Sequence, residues 1–178
     1  MKTIYENPLI SEAAKYPDSL FLFKNVKGVD MFYCSKAKEI RELSFKDVDF
    51  LKDTIMQPNE VDMFKSIRLV FGNFNPRTTK LLQFYQAYNY IVEKIKEIWE
   101  QEKALISEPS EKLKAAGIER MQIFGNLNIL DDIAQRYSKS PLEIENWSYS
   151  LIFALSLKMK YESDIQKNIE DANRRNTH

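Results

Sequence analysis

The side chains that most often perform catalysis are scarce in this chain and widely separated. The single histidine, His178, is the last residue, and a chain end is expected to fray rather than hold a fixed geometry. The single cysteine, Cys34, has no partner histidine to activate it, so we expect a small buried apolar side chain rather than a nucleophile. The sequence therefore predicts no histidine-dependent triad, no histidine-based metal site and no activated cysteine.

Signatures of phosphate binding and of acid–base chemistry are also weak. The glycines lie too far apart to form a loop that cradles a phosphate; they are Gly28, Gly72, Gly117 and Gly125. Asp131 and Asp132 form a carboxylate pair that is in principle able to do acid–base work. Near the start of a helix, such a pair is better explained as offsetting the positive end of the helix dipole. We therefore expect a protein that is not an enzyme and that holds no cofactor and no metal.

The composition favours a folded, mostly helical chain. The 26 Lys and Arg residues balance the 26 Asp and Glu residues, so no net field attracts a polyanion, and nucleic-acid binding is disfavoured. Hydrophobic residues at 44% and charged residues at 29% are typical of a globular domain. Only four Gly and six Pro favour long helices over a β sandwich. A length of 178 residues fits one domain, or one domain with a small subdomain.

No segment of the sequence has the character of a membrane span. The most apolar run, Trp147 to Leu157, is interrupted by serines and is well short of the roughly 20 residues that a spanning helix needs. The first residues contain no charged start followed by a continuous apolar stretch, and one cysteine cannot form an internal disulfide. We expect a cytoplasmic protein without a transmembrane helix.

Residues 1–43 predict an N-terminal arm followed by a small β-hairpin. Pro8 and Pro17 interrupt the arm. Aromatic and β-branched residues between Ser19 and Ser35 surround a Lys-Gly pair, which is typical of a hairpin turn. Such a hairpin is barely stable alone, so it must pack on helices or pair with another chain. Residues 44–178 are predicted to form a helical domain.

Helical periodicity is clearest between Pro76 and Ile106, after two shorter helices that begin near Ser44 and Asn59. Apolar positions separated by threes and fours make a heptad seam, which comprises Leu81, Phe84, Tyr88, Ile91, Ile95 and Ile98. An unbroken helix over about 76–106 would be roughly 45 Å long, longer than a compact domain of this size needs. The seam therefore either packs inside an intramolecular bundle or joins chains in a homo-oligomer.

The stretch from Asp132 to Trp147 is similar to a helix-turn-helix. Ser140, with Glu143 three residues later, is a specific helix start because the two residues can form a capping box. A DNA-reading helix needs exposed cationic and amide side chains near its N-terminus, whereas Glu143 and Glu145 lie here. A structural corner is the favoured interpretation, and a DNA-binding regulator is the alternative.

The last helix is predicted to run over about 141–172 and to be apolar on two sides. One face carries Ile144, Trp147, Leu151 and Leu155, and the nearly opposite face carries Leu142, Tyr149, Phe153 and Leu157. Either this helix lies at the centre of the bundle, or another protein covers one face. The expected fold class is mainly α: a helical bundle with one long helix, a long C-terminal helix and a small N-terminal β-hairpin.

Several short motifs lie between Phe84 and Lys167. They are Glu102-Lys103-Ala104-Leu105, Ala115-Ala116-Gly117-Ile118, Phe124-Gly125, and Ile133-Ala134-Gln135-Arg136-Tyr137 followed by Ser140-Pro141-Leu142-Glu143-Ile144. Upstream, Leu43-Ser44-Phe45-Lys46-Asp47-Val48 resembles the opening of a helix in phage structural proteins. Together the motifs, over about half of the chain, resemble the small helical assembly proteins of tailed bacteriophages, especially tail assembly chaperones that hold the tape-measure protein. The N-terminal hairpin is not part of that pattern.

The resemblance implies a non-enzymatic role in virion assembly. Such a protein binds an aggregation-prone client rich in coiled coil, such as the tape-measure protein, in the cytoplasm of an infected bacterium until the tail tube polymerises. Apolar helix faces suit this role, because an amphipathic groove recognises a helix by its regularly spaced anchors. The predicted partner-binding residues are Leu142, Tyr149, Phe153 and Leu157. The alternatives are a structural virion or connector protein and a helix-turn-helix DNA-binding regulator.

Overall fold

The computed structural model describes residues 9–10, 25–33, 35–106 and 114–176. Cys34 and most of the predicted N-terminal arm lie outside the described residues. The described part of the chain is mainly helical, with one two-stranded antiparallel hairpin near its N-terminal end. The predicted mainly α fold class is confirmed.

The hairpin consists of β1 (Met31–Phe32) and β2 (Ser35–Lys36), with Phe32 opposite Ser35. The α-helices are α1 (Phe45–Met56), α2 (Glu60–Phe71), α3 (Leu81–Glu102), α4 (Asn126–Tyr137), α5 (Pro141–Ile144) and α6 (Tyr149–Asn176). Short 3₁₀ helices cover Ile40–Glu42, Lys103–Leu105 and Ile118–Phe124. None of the helices in these described ranges is both long and apolar enough to cross a membrane.

The described residues cluster into two compact units. The first takes its residues from Met1–Leu43 and Asp47–Ile98, and the second from Ser44–Lys46 and Trp99–His178. The hairpin therefore belongs to the same unit as most of α1, all of α2 and most of α3. The predicted division into an arm at 1–43 and a helical domain at 44–178 stays a prediction.

The heptad seam of α3 forms the core of the first unit. All six of its predicted positions are buried: Leu81, Phe84, Tyr88, Ile91, Ile95 and Ile98. Phe84 lies 5.7 Å from the ring of Phe64 on α2, and the Tyr88 hydroxyl donates to the Thr54 carbonyl of α1 at 3.5 Å. Of the two interpretations of the seam, packing within one chain is the one observed. A homo-oligomer that uses this seam is not supported, because no seam side chain is left for a second chain.

The hairpin and the segment before it pack on the rest of the first unit through aromatic and backbone contacts. Phe32 is buried 5.7 Å from the ring of Phe71 and 6.0 Å from that of Phe74. The Val29 N–H donates to the Gln86 carbonyl of α3 at 3.1 Å. The observed hairpin is therefore supported by helices of the same chain. Its two strands both follow Gly28, so the predicted turn at the Lys-Gly pair was wrong.

Gly28 is required by a close approach of this segment to α3. A Cβ at this position would lie under 3.0 Å from backbone atoms of Asn89 and Tyr90. We predict that Gly28→Ala lowers the free energy of unfolding by about 1 to 3 kcal/mol, because helix backbone cannot move aside as a flexible side chain does. Thermal melting measures the loss, with the exposed neighbour change Lys27→Ala as control. An unchanged melting temperature for Gly28→Ala would contradict the close packing.

The second unit has its own small core, built around α4 and the start of α6. Its buried apolar side chains are Phe45, Leu130, Ile133, Ala134, Ile144, Tyr149 and Ile152. The Phe45 N–H donates to the Trp147 carbonyl at 2.9 Å, and the Lys46 N–H donates to the Glu145 carbonyl at 3.1 Å. The turn before α6 is thus tied by backbone hydrogen bonds to the first residues of α1.

Two predicted helix boundaries differ from those observed. The predicted helix at about 76–106 begins at Leu81, because Thr78 and Thr79 instead form a turn whose N–H groups donate to the Asn75 carbonyl. The predicted helix at about 141–172 is two helices, the one-turn α5 and the long α6, separated by residues 145–148. The second difference changes which side chains share a face.

Candidate partner-binding surfaces

The corner formed by α4, α5 and α6 is built by a capping box. The Ser140 hydroxyl accepts a hydrogen bond from the Glu143 N–H at 3.2 Å, and the Glu143 carboxylate accepts from the Ser140 N–H at 3.0 Å. The Ser140 N–H, followed by the ammonium of Lys139, holds the pKa of the Glu143 carboxyl below its usual value. A single helical turn with a fixed negative charge at its start does not present the cationic surface that a DNA-reading helix needs.

The four predicted partner-binding residues do not form one exposed face. Leu142 lies on α5 and is 71% exposed, whereas Tyr149 is 4% exposed at the first turn of α6. The Tyr149 ring stacks between Phe45 and Phe153, at centroid distances of 6.2 and 6.1 Å. Its hydroxyl donates to the Glu102 carboxylate at 2.8 Å. Tyr149 is therefore a core residue of the second unit.

Phe153 and Leu157 are half-buried along the same side of α6. The structure brings them together with Tyr149 but separates all three from Leu142, because the helix breaks between α5 and α6. Binding of a partner by these four residues stays a prediction.

A separate exposed apolar surface lies on the 3₁₀ helix Ile118–Phe124 and the start of α4. We define the apolar patch as Met121, Ile123, Phe124 and Leu127, which are 47%, 82%, 47% and 50% exposed. The Asn128 side-chain amide donates to the Met121 carbonyl at 2.8 Å, which holds the 3₁₀ helix onto α4. Four large apolar side chains exposed within seven residues mark a surface suited to binding another molecule.

A second exposed apolar surface follows the C-terminal half of α6. We define the distal stripe as Tyr161, Ile165 and Ile169, each at least half exposed. Their spacing of four residues rotates each by only about 40° around the helix from the one before, so they share one side. Leu157 continues the stripe toward the core of the unit. The spacing of these residues in an otherwise polar sequence could have revealed the stripe, which the sequence analysis missed.

Charged side chains near the first residue of the distal stripe bind α6 to neighbouring segments of the second unit. Arg136 on α4 donates to the Glu162 carboxylate at 2.7 Å and lowers the pKa of that carboxyl. Lys158 lies 3.7 Å from the same carboxylate. On the other side of the helix, the Lys160 ammonium donates to the carbonyls of Ala104 and Ile106. These contacts hold the middle of α6 against the rest of the second unit.

The described residues contain no group of three or more His, Cys, Asp or Glu side chains placed to hold a metal ion. A groove of the first unit runs beside residues 27–30, with a volume of about 990 Å³. Lysines and carboxylates both line it, including Lys27, Asp30, Lys94 and Glu93. Its mixed charge gives no preference for one class of ligand.

No protein-family model, no curated protein and no solved structure matches this chain.

Proposed function

We propose that this chain is a non-enzymatic assembly protein that binds a helical segment of a client protein through the apolar patch. The observation that carries the proposal is the exposure of Met121, Ile123, Phe124 and Leu127 within seven residues of the second unit. Burying such side chains against a partner removes apolar area from water and stabilises the complex by about 1.5 to 3 kcal/mol for each fully buried side chain.

The chemistry of the patch suits a helical client. Phe124 supplies a flat, rigid anchor, and Met121 adapts its unbranched side chain to irregular neighbours. An amphipathic helix presents apolar side chains at three- and four-residue spacing, which matches a surface of several adjacent apolar residues. Such recognition needs no catalytic group.

The kind of client follows from the resemblance to tail assembly chaperones. Of the resembling motifs, Phe124-Gly125 contains a residue of the patch, and Ile133 to Tyr137 lies on α4. We propose a tape-measure protein as the client, held in the host cytoplasm before the tail tube forms. Cytoplasmic action is consistent with a chain whose single cysteine cannot form an internal disulfide.

Co-expression with the tape-measure protein encoded in the same genome tests this function. We expect the wild-type chain to keep the client soluble and to purify with it. The double variant Ile123→Asp/Phe124→Asp should bind the client at least about 30-fold more weakly, the effect of removing interface hot spots. The control is Val61→Asp, at an aliphatic position on α2 of the other unit whose 62% exposure lies between those of Ile123 and Phe124.

The outcomes separate the possible roles. Equal binding by the double variant and the control would reject the patch, and failure of the wild-type chain to bind would reject this client. Circular dichroism must show unchanged helicity in both variants, so that lost binding is not lost folding. If the chain is present in purified particles, it is a structural virion or connector protein, and the chaperone role is rejected.

A further inference from the structure

The 3₁₀ helix that carries most of the apolar patch is longer than such helices usually are. It runs for seven residues, Ile118–Phe124, whereas 3₁₀ helices rarely exceed about four residues because their hydrogen-bond geometry is poor. Its sequence does not require this conformation. Glu119, Arg120 and Met121 are among the better α-helix formers, and no proline or glycine lies within the segment. A segment of this composition directly before an α-helix is expected to continue that helix.

A single residue, Gly125, separates this segment from α4. Its φ of 48° and ψ of −126° form a backbone conformation that residues with a side chain rarely adopt. A Cβ at this position would meet no atom within 4 Å, so packing does not require a glycine here. The glycine is required only by the bend of the backbone. The break between the 3₁₀ helix and α4 therefore depends on the conformation of one residue.

The Asn128 side chain stabilises the break. Its amide donates to the Met121 carbonyl at 2.8 Å, and its backbone N–H donates to the Gly125 carbonyl at 3.3 Å. In a continuous α-helix, the Met121 carbonyl would accept from the Gly125 N–H instead. The Asn128 N–H would then donate to the Phe124 carbonyl. The side-chain amide thus competes for a carbonyl that a continuous helix would use.

A continuous helix would rearrange the apolar patch. In a 3₁₀ helix, residues three apart eclipse each other, so Met121 and Phe124 share one edge and Ile123 points about 120° away. In an α-helix that continues α4, Ile123, Phe124 and Leu127 lie within about 100° of one another. This is the width of the face with which an amphipathic helix packs on its neighbours. The continuous form therefore places three patch residues on one helical face.

We propose that residues 118–125 form a two-state element. In the free chain they are a 3₁₀ helix with a break at Gly125, and in the client-bound chain they are an α-helix continuous with α4. The assignment of the helical state to the bound chain rests on the proposed function. The patch residues are all at least 47% exposed, so the conversion disrupts little packing. The client selects the helical state, and its apparent affinity depends on how much of that state the free chain populates.

Gly125→Ala tests the two states in the free chain. Alanine is strained at the observed φ and forms helix better than glycine, so the equilibrium should shift toward the continuous helix by about 30-fold or more. Nuclear magnetic resonance of the full chain measures the shift. Proton contacts between residues four apart across 121–125 mark the α-helix, and contacts between residues two apart mark the 3₁₀ helix. Persistent 3₁₀ contacts in Gly125→Ala, or α-helical contacts across Gly125 in the free wild-type chain, would overturn the two-state element.

Two further variants support this measurement. Gly72→Ala is the matched control, because Gly72 also has a positive φ, of 82°, and no atom within 4 Å of the Cβ it would carry. It ends α2 and should leave the contacts across 121–125 as in wild type. Asn128→Ala removes the competing hydrogen bond and should shift the equilibrium toward the continuous helix by about 3- to 10-fold. A shift in the opposite direction, or none, would show that Asn128 does not stabilise the break and would overturn its role.

Affinity for the tape-measure protein encoded in the same genome tests the assignment of the bound state. Gly125→Ala should bind this client about 10-fold more tightly than wild type or better, because a minor state is typically populated at about 10% or less. Equal or weaker binding by Gly125→Ala would overturn the assignment of the continuous helix to the bound chain. A wild-type chain that does not bind this client rejects the proposed function together with that assignment, whereas the two-state element is decided by the free chain alone.

Discussion

Replacing Tyr149 with alanine is expected to lower the free energy of unfolding of the second unit by about 3 to 5 kcal/mol, the usual cost of removing a buried aromatic ring. The ring is stacked between Phe45 and Phe153, and its hydroxyl donates to Glu102. Urea denaturation followed by tryptophan fluorescence measures the loss. Both tryptophans, Trp99 and Trp147, lie in this unit and report on its unfolding.

Two further variants separate the contributions to this loss. Tyr149→Phe keeps the stacked ring and removes only the hydroxyl, so we expect a loss of about 1.5 to 3 kcal/mol for a hydrogen bond to a charged group. Leu142→Ala is the matched control from the same predicted face and should change stability by less than about 0.5 kcal/mol, because Leu142 is exposed. Equal losses for Tyr149→Ala and Leu142→Ala would contradict the burial difference between them.

The grouping of Leu142 with Tyr149 was wrong for a specific physical reason. Counting 100° per residue assumes one unbroken helix, and no proline or glycine between 142 and 149 signals a break. The break is made by tertiary hydrogen bonds, in which the carbonyls of Glu145 and Trp147 accept the N–H groups of Lys46 and Phe45. A partner about 100 residues earlier in the chain cannot be inferred from local periodicity.

Helix starts were predicted correctly where side chains at the start form the capping hydrogen bonds. The capping box of Ser140 and Glu143 is present as predicted, because both hydrogen bonds join residues three positions apart. Asn59 caps α2 in the same way by accepting from the Asp62 N–H at 3.0 Å. Such contacts depend on sequence spacing alone, so a single sequence is sufficient to find them.

The apolar patch could not be predicted, because its exposure does not depend on sequence spacing alone. Residues 118–124 form a 3₁₀ helix, whose period of about three residues does not produce the amphipathic pattern of an α-helix. Apolar residues in such a segment are normally assigned to a core. Their exposure depends on whether another part of the chain covers them, and that is a property of the folded unit.

Replacing Ile95 with alanine tests the assignment of the heptad seam to the core of the first unit. Ile95 is fully buried in α3, so we expect the free energy of unfolding to fall by about 2 to 5 kcal/mol. Circular dichroism at 222 nm during urea denaturation measures this loss. Lys96→Ala, at the exposed neighbouring position, is the control and should change stability by less than about 0.5 kcal/mol.

The concentration dependence of the same measurement distinguishes a core from an interface between chains. If Ile95 packs inside one chain, the urea midpoint of the wild-type protein does not change between about 1 and 50 µM, because unfolding then involves one molecule. A seam shared between two chains would raise the midpoint with concentration, and Ile95→Ala would remove that rise. A rising midpoint in the wild-type protein that Ile95→Ala abolishes would therefore reverse the assignment and restore the seam as the contact between chains.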